Sequence, residues 1–440
     1  MCEQYENAPE GWQVRRLDDL AASITSGGTP TAGSSRYYTS SGGLPFAKTE
    51  DLSRAVSKYL EDCDLQITEA ALKETSAKRY PEGTILVSMY GTIGLTKITA
   101  KEMAANQALC ALLEPFCCSA DFLYHQLDFI RPRWSRFSGQ TTQANISGSI
   151  VRAAKVLLPP PNEQRFIARI LDTLDTQIQK TEALIAKLEK VKEGLLHDLL
   201  TRGINENGQL RPSPEQAPEL YKESPLGLIP REWSTCSLGE LAKLQGGFAF
   251  PSGEFGLGGI PIVRMSNLKS GRLDLSDAVT VSDHYLRHLG GFRLHAGDLV
   301  LGMSGSIETW AVVSENDIPS LLNQRVGRFK ILDEERLVYR ILDLIVKSQY
   351  YQDHLRRESA GAAQLNISSS QVESTKIPVP PLYEQRRILG KYGALEKRIG
   401  QEELLARKLY SQKNAILDDL LTGRVRVTPL LDEAQGATPA

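Results

Sequence analysis

Leu158-Pro159-Pro160-Pro161-Asn162-Glu163-Gln164-Arg165 returns, 221 residues later, as Val379-Pro380-Pro381-Leu382-Tyr383-Glu384-Gln385-Arg386. Proline lacks an N–H and biases the residue before it towards extended geometry, so each copy marks the point where an extended segment gives way to a helix. Asn162 is placed to cap the first helix, with Glu163 favourable near the positive end of its dipole. Gly203 and Gly423 are the expected stops. Between start and stop lie about 38 residues, a rod of roughly 55–60 Å at 1.5 Å per residue.

Working outward, the same shift of 221 joins Trp12 to Trp233, Leu17 and Leu20 to Leu238 and Leu241, Asn145-Ile146-Ser147 to Asn366-Ile367-Ser368, and Asp198-Leu-Leu-Thr201 to Asp419-Leu-Leu-Thr422. Inside the halves the shift drifts, to 214 for Gly83–Thr92 against Gly297–Ser306 and to 217 for Asn106-Gln107 against Asn323-Gln324. The chain is therefore one plan written twice, with a shared frame and divergent interiors. Duplication alone explains the frame. It does not explain interiors that diverge between helices that keep register.

Within the helices, steps of four and three residues from Ile167 give Leu171, Leu174, Ile178, Thr181, Ile185, Leu188, Lys192, Leu195 and Leu199, the spacing of a coiled-coil seam. The second copy reads Ile388, Tyr392, Leu395, Ile399, Glu402, Ala406, Leu409, Lys413, Ile416 and Leu420, with polar breaks at matching places. Two helices pairing in one coil account for matched breaks; a generic amphipathic helix does not. The expected organisation is a first globular domain at 1–158, a long helix at 159–203, a linker at 204–230, a second globular domain at 231–379, a second long helix at 380–423 and a tail at 424–440. The stretch Asn205–Pro230, rich in Pro, Gly, Glu and Ser, shows no hydrophobic period and reads as linker.

The fold class that follows is α+β: two pseudo-symmetric mixed α/β domains separated by an antiparallel coiled coil. Thr84–Met89 and Asp298–Leu301 read as short apolar strands, Asp121–Trp134 and Glu335–Arg356 as helices. Polar and glycine-rich connections supply the candidate binding residues: Gly27, Gly28 and Thr29; Tyr90 and Thr92; Gln140, Thr142, Gln143 and Asn145; Gln245 and Phe248; Ser304 and Ser306; Arg325; Gln364 and Asn366. Glycine N–H groups can approach phosphates, Gln and Asn can bond bidentately to adenine, and Arg or Lys to guanine. Each loop alone is readable as an ordinary polar turn. Their paired occurrence in two halves favours binding.

Composition neither advertises nor forbids this. The net charge of −2 is not that of a nucleic-acid binder, so local patches such as Arg131, Arg133 and Arg136, or Arg325 and Arg328, would have to meet phosphates. The six cysteines form no CxxC pair and no histidine stands at zinc-ligand spacing beside them, so they read as reduced thiols with no metal. No run of about 18 apolar residues and no signal peptide appear, which makes the cytoplasm the expected compartment. The chain also lacks an Asn/Asp-Pro-Pro-aromatic strand end for adenine methylation and a GxxxxGK[ST] phosphate loop, and its histidines are scattered, so no catalytic residue is expected.

Two variable halves, each closing on Pro-Pro-x-x-Glu-Gln-Arg, resemble the specificity subunits of type I restriction-modification systems. The likeness includes the Trp12, Leu17, Leu20 opening, the Gly-Gly loop, the Asn-Ile-Ser element and the Asp-Leu-Leu-Thr helix end. One departure is Leu382-Tyr383 where the first half has Pro161-Asn162. The resemblance implies a non-catalytic subunit in which each globular domain reads half of a bipartite duplex-DNA site. It implies that the coil, through Ile167, Leu171, Leu174, Ile178, Ile185, Leu188, Ile388, Leu395, Ile399, Leu409 and Ile416, fixes the unread spacer and docks two modification subunits. Those subunits would bring S-adenosylmethionine for adenine methylation, and two motor-nuclease subunits, with Mg and ATP, could add restriction. The rivals are a structural adaptor with two non-DNA-binding domains, which predicts no salt-dependent DNA affinity, and an independent enzyme, which predicts turnover by the chain alone.

Overall fold

Ile85-Leu86-Val87 is a continuous apolar run, the signature of a strand covered on both faces, and every residue of strand Ile85–Ser88 is buried. A computed structural model of the chain describes residues 8–134, 145–269, 271–305, 309–359 and 366–430. It divides into two units, the first made of 1–184 with 402–440, the second of 185–401. Both are α+β.

In the first unit Ile85–Ser88 is the middle strand of five, ordered Ala21–Ser26, Leu109–Pro115, Ile85–Ser88, Thr96–Thr99, Tyr59–Leu60. A second five-stranded sheet contains the parallel pair Leu44–Ala47 and Met103–Ala105, with Ala104 opposite Phe46. The second unit repeats this in reduced form. Its four-stranded sheet runs Ala242–Gly246, Val326–Ile331, Leu299–Gly302, Trp310–Val312, and its three-stranded sheet holds the parallel pair Ile260–Val263 and Leu321–Leu322, with Ile262 opposite Leu321. A two-stranded ladder closes each unit in one register, Gln13 opposite Leu158 and Ser234 opposite Val379.

The repeated Trp-Leu-Leu opening is core. Trp12, Leu17 and Leu20 pack with Val87, Phe122, Leu171 and Leu421; Trp233, Leu238 and Leu241 pack with Leu301, Phe329, Leu199 and Ile388. The expected helix at Asp121–Trp134 runs Ala120–Trp134. The one expected at Glu335–Arg356 is two, Tyr339–Lys347 and Gln349–Ser359. The break falls at Ser348, whose hydroxyl donates to the Ile345 carbonyl at 2.6 Å, an alternative to continuing the helix.

The long helices are Pro161–Thr201 and Leu382–Leu421, of 41 and 40 residues. The first starts at Pro161, so Asn162 lies inside its first turn and is not the cap; proline suits the first helical position because its missing N–H would find no partner there. Every seam position of both helices is buried or half-buried. In the first unit Lys413 Nζ meets Asp175 Oδ1 at 2.5 Å and the Tyr410 hydroxyl donates to Glu182 at 2.6 Å, which sets the paired segments antiparallel. The matched polar breaks do not share partners: Thr181 donates to the Gln177 carbonyl at 2.9 Å, and Lys192 pairs with Glu189 on its own helix at 2.5 Å.

The stretch expected as linker is folded. It carries a bridge between Ile204 and Leu210 and a hairpin of Tyr221–Ser224 with Gly227–Pro230. Ile204, Ala217, Tyr221 and Ile229 are buried. Four apolar anchors spaced without period are enough to order a segment that lies on an existing core, and no periodicity reveals them. Among the described residues no helix is long and apolar enough to cross a membrane, and no group of three or more His, Cys, Asp or Glu could hold a metal ion.

Candidate nucleic-acid interface

The Pro-Pro-x-x-Glu-Gln-Arg motif proves to be architecture. Glu384 is fully buried; it accepts from Trp233 Nε1 at 3.0 Å, from Arg211 Nη2 at 3.0 Å and from the Ile204 N–H at 2.8 Å. Glu163, its counterpart, accepts from Trp12 Nε1 at 3.4 Å and Arg426 Nη2 at 2.7 Å. Each neighbouring glutamine ties off chain ends: Gln164 Nε2 donates to the Pro159 carbonyl at 2.8 Å, and Gln385 Nε2 to those of Pro380 and Arg336 at 2.7 Å. Buried polar groups satisfied in this way fix where each helix leaves its unit.

The Asn-Ile-Ser element is a second doubled device. Ile146 and Ile367 are buried, and their N–H groups donate to the Met89 and Met303 carbonyls at 3.0 Å in both units. Ser147 and Ser368 then cap the short helices Gly148–Ala153 and Ser369–Ser374. This holds Asn145 in a bridge to Tyr90, and Asn366 in a bridge to Ser304, at the end of the equivalent strands Ile85–Ser88 and Leu299–Gly302. Asn145 and Asn366 are exposed, as are Tyr90, at 45 %, and Thr92.

In the second unit this edge opens into a groove of about 1070 Å³. Ser304, Arg325 and Asn366 line it, and so do Arg264, Lys269, Asn323 and Gln324. No carboxylate lines it among the described residues. Arg264 follows strand Ile260–Val263, and its Nε is buried with no hydrogen-bond partner among the described residues, a condition that costs about 1–3 kcal/mol until a partner arrives. Arg264 and Lys269 were missed by sequence reasoning, although a signal exists. Gly42-Gly43-Leu44-Pro45-Phe46-Ala47-Lys48 and Gly258-Gly259-Ile260-Pro261-Ile262-Val263-Arg264 are one more doubled segment, at a shift of 216. The N–H of Lys48 donates to Asp51 Oδ2 at 2.8 Å, and that of Arg264 to Asn267 Oδ1 at 3.0 Å.

Several expected readers are committed elsewhere. The N–H groups of Gly27 and Gly28 donate to the Leu109 and Ala105 carbonyls at 3.1 Å, so they are not offered to phosphate. A Cβ on Gly27 would stand 2.1 Å from the Ala105 carbonyl oxygen, which is why glycine is needed there. Phe248 packs edge-on to Phe250, with centroids 5.0 Å apart, inside an aromatic cluster. Gln245 bonds the Gly291 carbonyl and accepts from Arg328, and Arg328 is itself buried against Asp298 at 3.0 Å, so neither it nor Gln245 is free for DNA. Thr29 is exposed and lies apart from these networks. Gln140, Thr142, Gln143, Ser306 and Gln364, with Arg136, lie outside the described residues.

A doubled frame closed by paired helices, with a polar edge at the same strand end in each unit, defines a tandem-domain protein. Residues 9–190 and 230–404 match the family described as type I restriction modification DNA specificity domain, and the chain belongs to that family. It is 28% identical over 291 residues to the type I restriction enzyme MjaVIII specificity subunit of Methanocaldococcus jannaschii, a match spanning 65% of each chain. It is 23% identical over 441 residues to the MjaIX specificity subunit of the same organism, covering 96% of this chain and 95% of that one. The S subunit from M. genitalium superposes with a TM-score of 0.54 at 17% identity, over 95% of this chain and 98% of that one. A chain from the structure described as the basis of complex assembly and conformational transition of the type I R-M system gives 0.58 at 18% identity, over 95% and 100%. At such identities these two likenesses speak for the fold.

Proposed function

We propose that each unit reads one half of a bipartite, asymmetric duplex-DNA site, and that the chain carries no reaction of its own. The observation that carries this reading is the doubled edge. Tyr90 with Asn145, both exposed, and half-buried Ser304 with exposed Asn366 stand at the end of the same buried strand in both units. Asn pairs bidentately with adenine in the major groove, and the arginines beside Asn366 suit guanine or phosphate. The long helices set the length of the unread spacer and dock two modification subunits, which bring S-adenosylmethionine and methylate adenine in the cytoplasm; two motor-nuclease subunits, with Mg and ATP, add restriction. Support for the spacer role is helix length: 41 residues at 1.5 Å each reach about 60 Å, against about 34–36 Å for one duplex turn. The domain limits that go with this are 1–158 and 231–379, with spacer segments 159–203 and 380–423 built on the helices Pro161–Thr201 and Leu382–Leu421.

Methylome sequencing of a host expressing the chain with a modification partner tests the reading. A bipartite motif is expected, and replacing residues 12–158 with the same region of a relative should change one half-site only. Change in both half-sites would end the claim of separate readers. Four residues inserted near Lys180 add roughly 6 Å and should lengthen the spacer by one or two base pairs. An unaltered spacer with activity kept would leave the helices as docking surface alone. Methyl transfer or cleavage by the purified chain would overturn its non-catalytic role.

A further inference from the structure

The groove of the second unit gathers three cations with no lining carboxylate among the described residues. Several other cations of this unit stand against carboxylates: Arg328 with Asp298 and Lys347 with Asp343 at 3.0 Å, Lys243 with Glu373 at 2.8 Å, Arg211 with Glu384. In the first unit Arg54 pairs with Asp64, Arg79 with Glu102, and Lys58 with Asp121 and Asp172. Arg264, Lys269 and Arg325 line one groove in which no carboxylate stands among the described residues, and the charge of Lys269 reaches Asp274 outside that lining. Three like charges lining one groove repel one another, and a bound anion relieves that. The corresponding frame positions of the first unit, at shifts of 216 and 217, are Lys48, Ser53 and Ala108: one cation in place of three.

We propose that Arg264, Lys269 and Arg325 neutralise phosphates of the DNA backbone, and that the second unit supplies most of the electrostatic affinity of the chain. This rests on the reading of the units as DNA readers and adds which surface meets the backbone. A chain of net charge −2 has no overall field to draw DNA in, so a local patch has to do it. A groove of about 1070 Å³ also exceeds what a single phosphate ion needs, and a duplex edge fills it.

The test is the salt dependence of binding of the full chain to a 40-base-pair duplex of random sequence, where phosphate contacts act without base recognition. Each neutralised phosphate contributes about 0.9 to the slope of log affinity against log salt. The triple variant Arg264→Gln, Lys269→Gln, Arg325→Gln should lower that slope by about 2.7, and Lys48→Gln by at most about 0.9. Arg264→Lys with Arg325→Lys keeps the charge and should keep the slope, which separates lost charge from a disturbed fold. Lys222→Gln with Lys330→Gln, exposed and outside the groove, should leave it unchanged. An unchanged slope in the triple variant overturns the proposal, as does an equal fall in the Lys222 and Lys330 control. Displacement of the duplex by inorganic phosphate at matched ionic strength would also overturn it, reducing the groove to a small-anion site. Wild-type chain that binds the duplex while the triple variant behaves like it removes the groove alone. Wild-type chain with no salt-dependent binding removes the DNA reading itself.

Discussion

The two buried glutamates that open the long helices occupy equivalent places and are neutralised by different routes. Glu384 is wholly buried against an Arg211 side chain exposed by only 9%, and Arg211 comes from the folded connector that follows Gly203. Glu163 faces Arg426, whose side chain is 32% exposed and which lies three residues after Gly423. The position of the acid repeats at 221 residues; the arginines do not, since one lies eight residues after its helix stop and the other three. A buried carboxylate must find a cation, and whatever segment follows the opposite helix supplies it. The frame is thus a set of demands that each half meets with the chain at hand. The tighter clamp belongs to the unit whose connector wraps it most fully.

The largest effect that bears on this difference comes from removing the charge. Glu384→Gln leaves buried Arg211 with the exposed Glu232, at 3.1 Å, as its remaining carboxylate and should cost about 3 kcal/mol, the low end for breaking a buried pair. Glu163→Gln leaves a partly exposed arginine that water can solvate, and about 1–2 kcal/mol is expected. Denaturant unfolding of the full chain, with hydrogen exchange resolved by segment, measures both. Equal losses would show that exposure of the arginine does not set the strength of the clamp.

Next come the helix stops. Gly203 and Gly423 both have positive φ, +65° and +71°. A Cβ at Gly203 would lie 2.1 Å from Glu384 Oε1 and 2.4 Å from Trp233, whereas one at Gly423 would meet the Pro9 ring at 2.6 Å. Gly203→Ala is expected to cost about 2–3 kcal/mol and Gly423→Ala about 1–2 kcal/mol, because the first clash falls on a fixed buried carboxylate. The reverse order, read by thermal unfolding, would mean that the first unit's clamp is the more rigid.

At the edge proposed to meet DNA, Asn366→Ala and Asn145→Ala should each weaken binding to the cognate duplex by about 1–3 kcal/mol for a lost base contact. Each should relax only the half-site of its own unit. Wild-type affinity and an unchanged motif in both would make the Asn-Ile-Ser element purely structural.

The smallest contrast is in acid. Burial opposes ionisation of Asp172, but hydrogen bonds from His125 and Lys58 outweigh it and hold this carboxyl below its ordinary value. Burial raises Asp343, and Lys347 only partly offsets that. A lowered carboxyl gives stability that is present above the unfolded value of about 3.9 and lost as pH falls through the folded one; a raised carboxyl gives stability that is full below about 3.9 and lost as pH rises through its folded value. Acidification from neutrality should therefore first relieve the second unit and then loosen the first. Hydrogen exchange between pH 3 and 7 reads each unit separately, and Asp172→Asn and Asp343→Asn should flatten the two trends. The same sign in both units would contradict the assignment.

By itself the sequence determined the doubled plan, the helix starts and stops, and the seam, because these are local or periodic properties. A proline pair blocks helix wherever it falls, and apolar residues at steps of four and three share one face in any context. Asn145 and Asn366 were legible for the same reason, as parts of a short element that recurs in order. Tertiary structure alone decided that Glu163 and Glu384 are clamps, that Gln245, Phe248, Gly27 and Gly28 belong to internal networks, that the connector is folded, and that Arg264 and Lys269 join Arg325 in one groove. The physical reason is that a side chain's role follows from which groups desolvate it and which remain to pair with it, and those partners lie far off in sequence, 173 residues for Arg211 from Glu384 and 263 for Arg426 from Glu163.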